Sequence, residues 1–217
     1  MPRSLIRWAH RRLLEHYGRP EWIARNEPLD ELIGTVLSQH TSDVNADRAF
    51  AGLKAAFDSW EAVRDAPAGA LEQAIRGGGL AVVKGARIQA ILRALSDERG
   101  RVALPDVGRM RRERARALLT RLPGVGTKTA SCVLLFGAGV AAIPVDTHVH
   151  RVALRVGLVP PRTTPDQATT ILEAAIPPKD YFAFHVNLIR HGRETCKAQH
   201  PRCEICVLRA KCAYLQT

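Results

Sequence analysis

Apolar positions recur with a helical period along most of the chain. Near the N-terminus, Leu5, Ile6, Trp8, Leu13 and Tyr17 fall at roughly helical spacing in an arginine-rich stretch, which predicts a helix before Pro20. After Pro28, the stripe Leu29, Leu32, Ile33, Val36 and Leu37 predicts a second helix, and Ser42 or Asp43 can cap a third running through Phe57. Asp58 or Ser59 starts another element, and Pro67 fits the first turn of one ending near the glycines at 77 to 79. Leu80 then opens a longer helix through Ile88, Ile91, Leu92 and Leu95 to about residue 99. A very basic helix is expected over 111–121 and an apolar one over 127–136, with Val149, Val152, Leu154 and Val156 marking another beyond. Valine-containing runs are short and do not alternate, so the pattern predicts an all-α protein.

Residues 122–130 read Leu-Pro-Gly-Val-Gly-Thr-Lys-Thr-Ala, between the basic and the apolar helix. Pro123 ends the first, Gly124 and Gly126 supply backbone that turns tightly, and Thr127 begins the second, which makes a helix-hairpin-helix. The N–H groups of Gly124, Val125, Gly126 and Thr127 are suited to a phosphate, because a helix N-terminus carries partial positive charge. A nucleotide-binding P-loop is excluded by spacing: one residue separates the glycines, and Thr127 precedes Lys128. On the hairpin alone, nonspecific DNA binding with Lys128 as one more backbone contact is the simpler reading.

The 217 residues fit one large domain or two small ones, and 46% hydrophobic residues suffice for a core. No stretch is apolar enough for a membrane span, and no membrane partner is expected. The net charge of +11 points to a polyanion. Arginine supplies most of it: the lysines are Lys54, Lys84, Lys128, Lys179, Lys197 and Lys211, so a lysine inside the hairpin stands out from background. The basic N-terminus has some transit-peptide character, but Glu15, Trp8 and Trp22 suit a docked helix better. With no signal-peptide core, the expected location is the bacterial cytoplasm, on nucleoid DNA, and the cysteines read as ligands or buried thiols.

Two further landmarks carry chemistry. Asp146, in Val-Asp-Thr-His, can cap the helix that follows, and a carboxylate held there stays ionised in the helix dipole, so capping and catalysis are compatible. Cys196, Cys203, Cys206 and Cys212 form a Cys-x6-Cys-x2-Cys-x5-Cys array, for which zinc and an iron-sulfur cluster are the candidates. Zinc ribbons use two Cys-x2-Cys knuckles; the single knuckle and wide outer spacing here favour a 4Fe-4S cluster. Cys132, within an apolar stretch, reads as a core thiol.

In this order and spacing, the hairpin with Lys128, the segment with Asp146 and the cysteine array resemble the endonuclease III family of DNA glycosylases. Val36-Leu37-Ser38, Asp43, Gly79-Leu80, Lys84 and His191-Gly192-Arg193 extend the resemblance over most of the chain. It implies a two-lobed helix-hairpin-helix glycosylase fold with a C-terminal 4Fe-4S cluster loop: a six-helix lobe over 22–140, and a cluster lobe from 1–21 and 141–217. It further implies a monomer that binds double-stranded DNA containing damaged bases or abasic sites, with Lys128 and Asp146 as the catalytic pair converging on a groove between the lobes. Leu80 would be the wedge entering the duplex, or else the first core residue of its helix. His40 stands where relatives commonly carry a Gln that probes the vacated stack, and Gln39 can share that role. The cluster would fold the loop so that Lys197 and Arg202 meet phosphates.

The implied reaction is excision of an oxidised pyrimidine by attack of Lys128 on C1′, followed by β-elimination through a Schiff base. A free lysine is neutral in about one molecule in a few thousand at pH 7. Its place in the first turn of a helix and the exclusion of water are expected to favour the neutral amine. Two alternatives stand beside this: a monofunctional glycosylase using water activated by Asp146, and a noncatalytic iron-sulfur DNA-binding protein. Arg109, Arg111, Arg112, Arg114 and Arg116 are too closely spaced to share one helix face, so some are solvated.

Overall fold

The computed structural model describes residues 2–22 and 27–216. Its helices are α1 (Pro2–Tyr17), α2 (Pro28–Leu37), α3 (Asp43–Ala56), α4 (Trp60–Asp65), α5 (Ala68–Ala74), α6 (Ala81–Arg99), α7 (Arg112–Leu119), α8 (Thr127–Cys132), α9 (Thr147–Val156), α10 (Pro165–Ala175) and α11 (Tyr181–Glu194). Among the described residues there is no strand, as the all-α pattern predicts. No helix of the described residues is long and apolar enough to cross a membrane. The chain forms two compact units, Ala24–Val140 and Met1–Ile23 with Ala141–Thr217.

In the unit Ala24–Val140, Pro28 occupies the first turn of α2 with Asp30 and Glu31, where their charge suits the helix dipole. Leu32, Ile33, Val36 and Leu37 are completely buried, and α2 packs on α3, α6 and α8. Ser42 and Ser59 each accept a backbone N–H, from Asn45 and Ala62, which fixes the starts of α3 and α4. The unit holds seven described α-helical segments, the Ala66–Pro67 step separating the short α4 from α5. The basic helix α7 stops at Leu119, four residues before Pro123: Thr120 folds its hydroxyl back onto Ala117 O, and Leu122 N–H bonds Leu119 O.

Beyond α8 the expected continuous helix widens into a π turn, Val133–Gly137, in which Ala138 N–H reaches Val133 O. Cys132 is buried at the junction, as a core thiol should be. The turn seats Gly137 against α2, where a Cβ would come within 3.0 Å of Pro28 Cα.

In the other unit, α1 buries Ile6, Ala9 and Leu13 against α10 and α11, so the N-terminal segment is a docked helix. Burying side chains the size of Ile6 and Leu13 stabilises by about 2 kcal/mol each. Two polar ties add direction: Arg7 Nε donates to Ala175 O, and Asn187 Nδ2 donates to Gly18 O. Val149, Val152 and Val156 of α9, Leu172 of α10 and Phe184 and Leu188 of α11 complete one core, which Leu208 and Cys212 join from the C-terminal segment. Thr164 and Gln167 form a reciprocal capping box at the start of α10.

Candidate functional site

The hairpin between α7 and α8 turns on Gly124, whose φ of +70° lies in the left-handed region. A side chain there would also strike Arg87, 2.5 Å from Nε. Gly126 differs: it is the extended N-cap of α8, with nothing within 4 Å of where a Cβ would stand, so a ligand can approach its backbone. Val125 is buried, and its N–H is already bonded to Leu122 O. Gly126 and Thr127 therefore present the open N-terminal end of α8, and Lys128 follows in its first turn, half-buried.

Arg87 of α6 connects this hairpin to the segment after α2. Its guanidinium lies over Gly124 and donates through Nη1 to Gln39 Oε1. His40 comes next, exposed, with φ +54°. Leu80 caps α6 at φ +50° and is 56% exposed, so it is not a core residue of that helix. Both are non-glycine residues held left-handed, a costly conformation that tends to persist where it serves a site. The basic residues before the hairpin divide as their spacing requires: Arg109, Arg111 and Arg114 are exposed, whereas Arg112 and Arg116 are half-buried.

In the second unit, Asp146 is the N-cap of α9. Its Oδ1 accepts from Val149 N–H at 2.7 Å, which fixes the half-buried carboxylate and leaves Oδ2 for other work.

The four array cysteines are free thiols, and all four line one narrow, open-mouthed pocket. Among the described residues no His, Cys, Asp and Glu side chains cluster closely enough to hold a single metal ion. Burial pushes the Cys206 thiol up to about 11 and raises Cys212 as well. Lys197 and Arg202 are exposed in the loop between the first two cysteines. Arg155 closes that loop, donating to Lys197 O and Ala198 O, and Arg202 N–H bonds Thr195 O.

Residues of α9 and α11 also surround the thiols. Arg151 donates to Cys196 O and Gly192 O, tying α9 to the end of α11. Gly192 permits that approach, since a Cβ would lie 3.0 Å from His148 Cβ. His191 Nε2 lies 3.4 Å from Cys206 Sγ, and its Nδ1 3.1 Å from Tyr17 Oη. Burial lowers the His191 imidazole to about 4, with the nearby His16 adding to the effect, so it stays neutral at physiological pH. The run His191-Gly192-Arg193 was the only sequence signal for this contact.

Comparison with known proteins defines the class. Residues 33–178 match the model of the HhH-GPD superfamily base excision DNA repair proteins. The chain belongs to that superfamily, and within it to the endonuclease III family of helix-hairpin-helix DNA glycosylases. It is 35% identical to endonuclease III of Thermotoga maritima over 188 residues, 87% of this chain and 84% of that protein. An Arabidopsis thaliana relative, whose name as a DNA glycosylase is provisional, is 40% identical over 171 residues; these cover 78% of this chain and 58% of the relative. Among solved structures, a trapped endonuclease III–DNA covalent intermediate superposes with a TM-score of 0.84 at 31% identity, covering 100% of this chain and 98% of that one.

Proposed function

We propose that this protein removes oxidised pyrimidines from duplex DNA and cleaves the resulting abasic site through a Schiff base on Lys128. The observation that carries the reading is the hairpin itself: an open helix N-terminus at Gly126 and Thr127, with a half-buried lysine one residue on. The covalent intermediate captured for the structural neighbour supports the nucleophilic route over attack by water.

Gly124, Gly126 and Thr127 hold a phosphate by their N–H groups, which sets Lys128 beside the sugar. The deprotonated Nζ forms a bond to C1′ as the C1′–N glycosidic bond breaks, and the electron pair leaves with the base. Asp146, anchored by its cap bond, stabilises the positive charge that develops on the sugar and takes up a proton from the amine. Opening of the sugar ring gives the Schiff base. Loss of a C2′ proton then expels the 3′ phosphate, and hydrolysis frees the enzyme. Gln39, His40 and Leu80 contact the duplex around the extruded nucleotide.

Cys196, Cys203, Cys206 and Cys212 are assigned to a 4Fe-4S cluster. When bound, it crosslinks the segment 196–212 and so presents Lys197 and Arg202 to phosphates. Purified anaerobically, the protein should contain iron and sulfide in equal amounts and absorb broadly in the visible. Cys206→Ser should lower both contents together. A colourless wild-type protein containing zinc would overturn the assignment.

The reading is tested by incubating the protein with duplexes that carry thymine glycol or an abasic site. Strand breaks without alkali on both duplexes are expected. Base loss revealed only by alkali would show the monofunctional route, with water activated by Asp146. Binding with no base loss on any oxidised pyrimidine would leave a noncatalytic DNA-binding protein.

A further inference from the structure

Lys84 is 2% exposed, and its ammonium is held by backbone alone, donating to Leu37 O and to Gly78 O, each at 2.7 Å. Neither acceptor is incidental. Leu37 O is a terminal carbonyl of α2, where the helix dipole is negative and a cation is favoured. Gly78 O belongs to the tight turn before α6, and Gly78 itself is pressed onto α3, where a Cβ would lie 2.8 Å from Ala49 Cβ.

What lies beyond the two carbonyls gives the contact its meaning. Three residues past Leu37 stands His40, and two past Gly78 stands Leu80, both exposed and both left-handed. Gly79, at φ +68°, joins the anchor to Leu80. An unsupported chain would relax such residues into ordinary backbone regions. Leu80 continues into Val82 and Val83, 63% and 53% exposed, so the turn presents an apolar edge that needs a fixed aim. Burial lowers the Lys84 pKa, so the amine stays buried at a cost that its two carbonyl bonds offset.

We propose that Lys84 is a positioning residue for DNA recognition, a single ammonium that holds the His40 segment and the Leu80 turn in register so that both enter the duplex together. The proposal rests on the reading of His40 and Leu80 as duplex-contacting residues. It assigns the aim of those residues to a group that never touches DNA.

The test uses a duplex with a tetrahydrofuran abasic analogue flanked by 2-aminopurine, whose fluorescence rises when the neighbouring stack opens. It therefore needs no chemistry at Lys128. Lys84→Met keeps the aliphatic length and removes the donors. At saturating protein the fluorescence rise should fall about threefold or more, while affinity for an undamaged duplex stays within about twofold of wild type. Circular dichroism checks that the variant is folded. If it does not fold, Gly79→Ala strains the same turn without meeting any neighbour, and the same selective loss is expected. A folded Lys84→Met or Gly79→Ala variant with the full fluorescence rise would overturn the proposal. His40→Ala and Leu80→Ala separate the causes. Should neither reduce the rise, the duplex-contact reading fails and takes the proposal with it; should both reduce it while Lys84→Met does not, the positioning role alone is wrong.

Discussion

Lys128→Ala should abolish the covalent adduct that borohydride traps between protein and an abasic duplex, and should slow strand cleavage by a factor of roughly a thousand or more. The size of the effect follows from the role. Without a nucleophilic amine no Schiff base forms, and β-elimination has no route. The fold should be unaffected: Lys128 is half-buried in the first turn of α8, alanine is a better helix former, and a change within about 0.5 kcal/mol is expected. Trapping by wild type together with its loss in the variant locates the nucleophile. An adduct that forms as readily with Lys128→Ala would move the nucleophile elsewhere and end the proposed mechanism.

Asp146→Asn separates two functions that one carboxylate performs. Asparagine caps helices about as well as aspartate, so its side-chain oxygen should still accept the Val149 N–H, and stability should change by only a few tenths of a kcal/mol. Charge stabilisation and proton transfer need the carboxylate, so base excision should fall by about two to four orders of magnitude. Asp146→Ala loses the cap as well and should cost about 1 kcal/mol of stability in addition. Thermal melts beside single-turnover excision rates distinguish these outcomes. An Asn variant that excises at wild-type rate would reduce Asp146 to a helix cap.

Much of the fold was legible because its punctuation is local. Ser42 and Ser59 at helix starts, the Pro123–Gly124 turn and the apolar stripe of α2 each depend on a few neighbouring residues. The helices α10 and α11 went unassigned, although Thr164 and Gln167 already spelled a capping box. The π turn was not legible, because Val133-Leu134-Leu135-Phe136 is equally apolar in a π or an α geometry, and what distinguishes them is the seating of Gly137 against α2. The exposure of Leu80 was only half legible: an apolar residue after three glycines suits a wedge or the start of a core equally until the left-handed turn shows where it faces. Spacing alone suggested that the four cysteines belong together, but the contact of His191 with Cys206 spans 15 residues and depends on how α11 packs. The roles given to Lys128 and Asp146 came from resemblance, since their spacing is equally that of a phosphate contact and a cap.

The division of the chain sets an order of assembly during synthesis. The helix α1 leaves the ribosome well before its partners: those that bury Ile6, Ala9 and Leu13 lie in α10 and α11, beyond the whole of Ala24–Val140. At translation rates of about 5–20 residues per second, the interval is on the order of ten seconds. During it the hairpin unit can complete its own core while the apolar face of α1 waits in solvent. The segment that carries the four thiols follows α11, so α1 has its partners in place before the final cysteine has emerged.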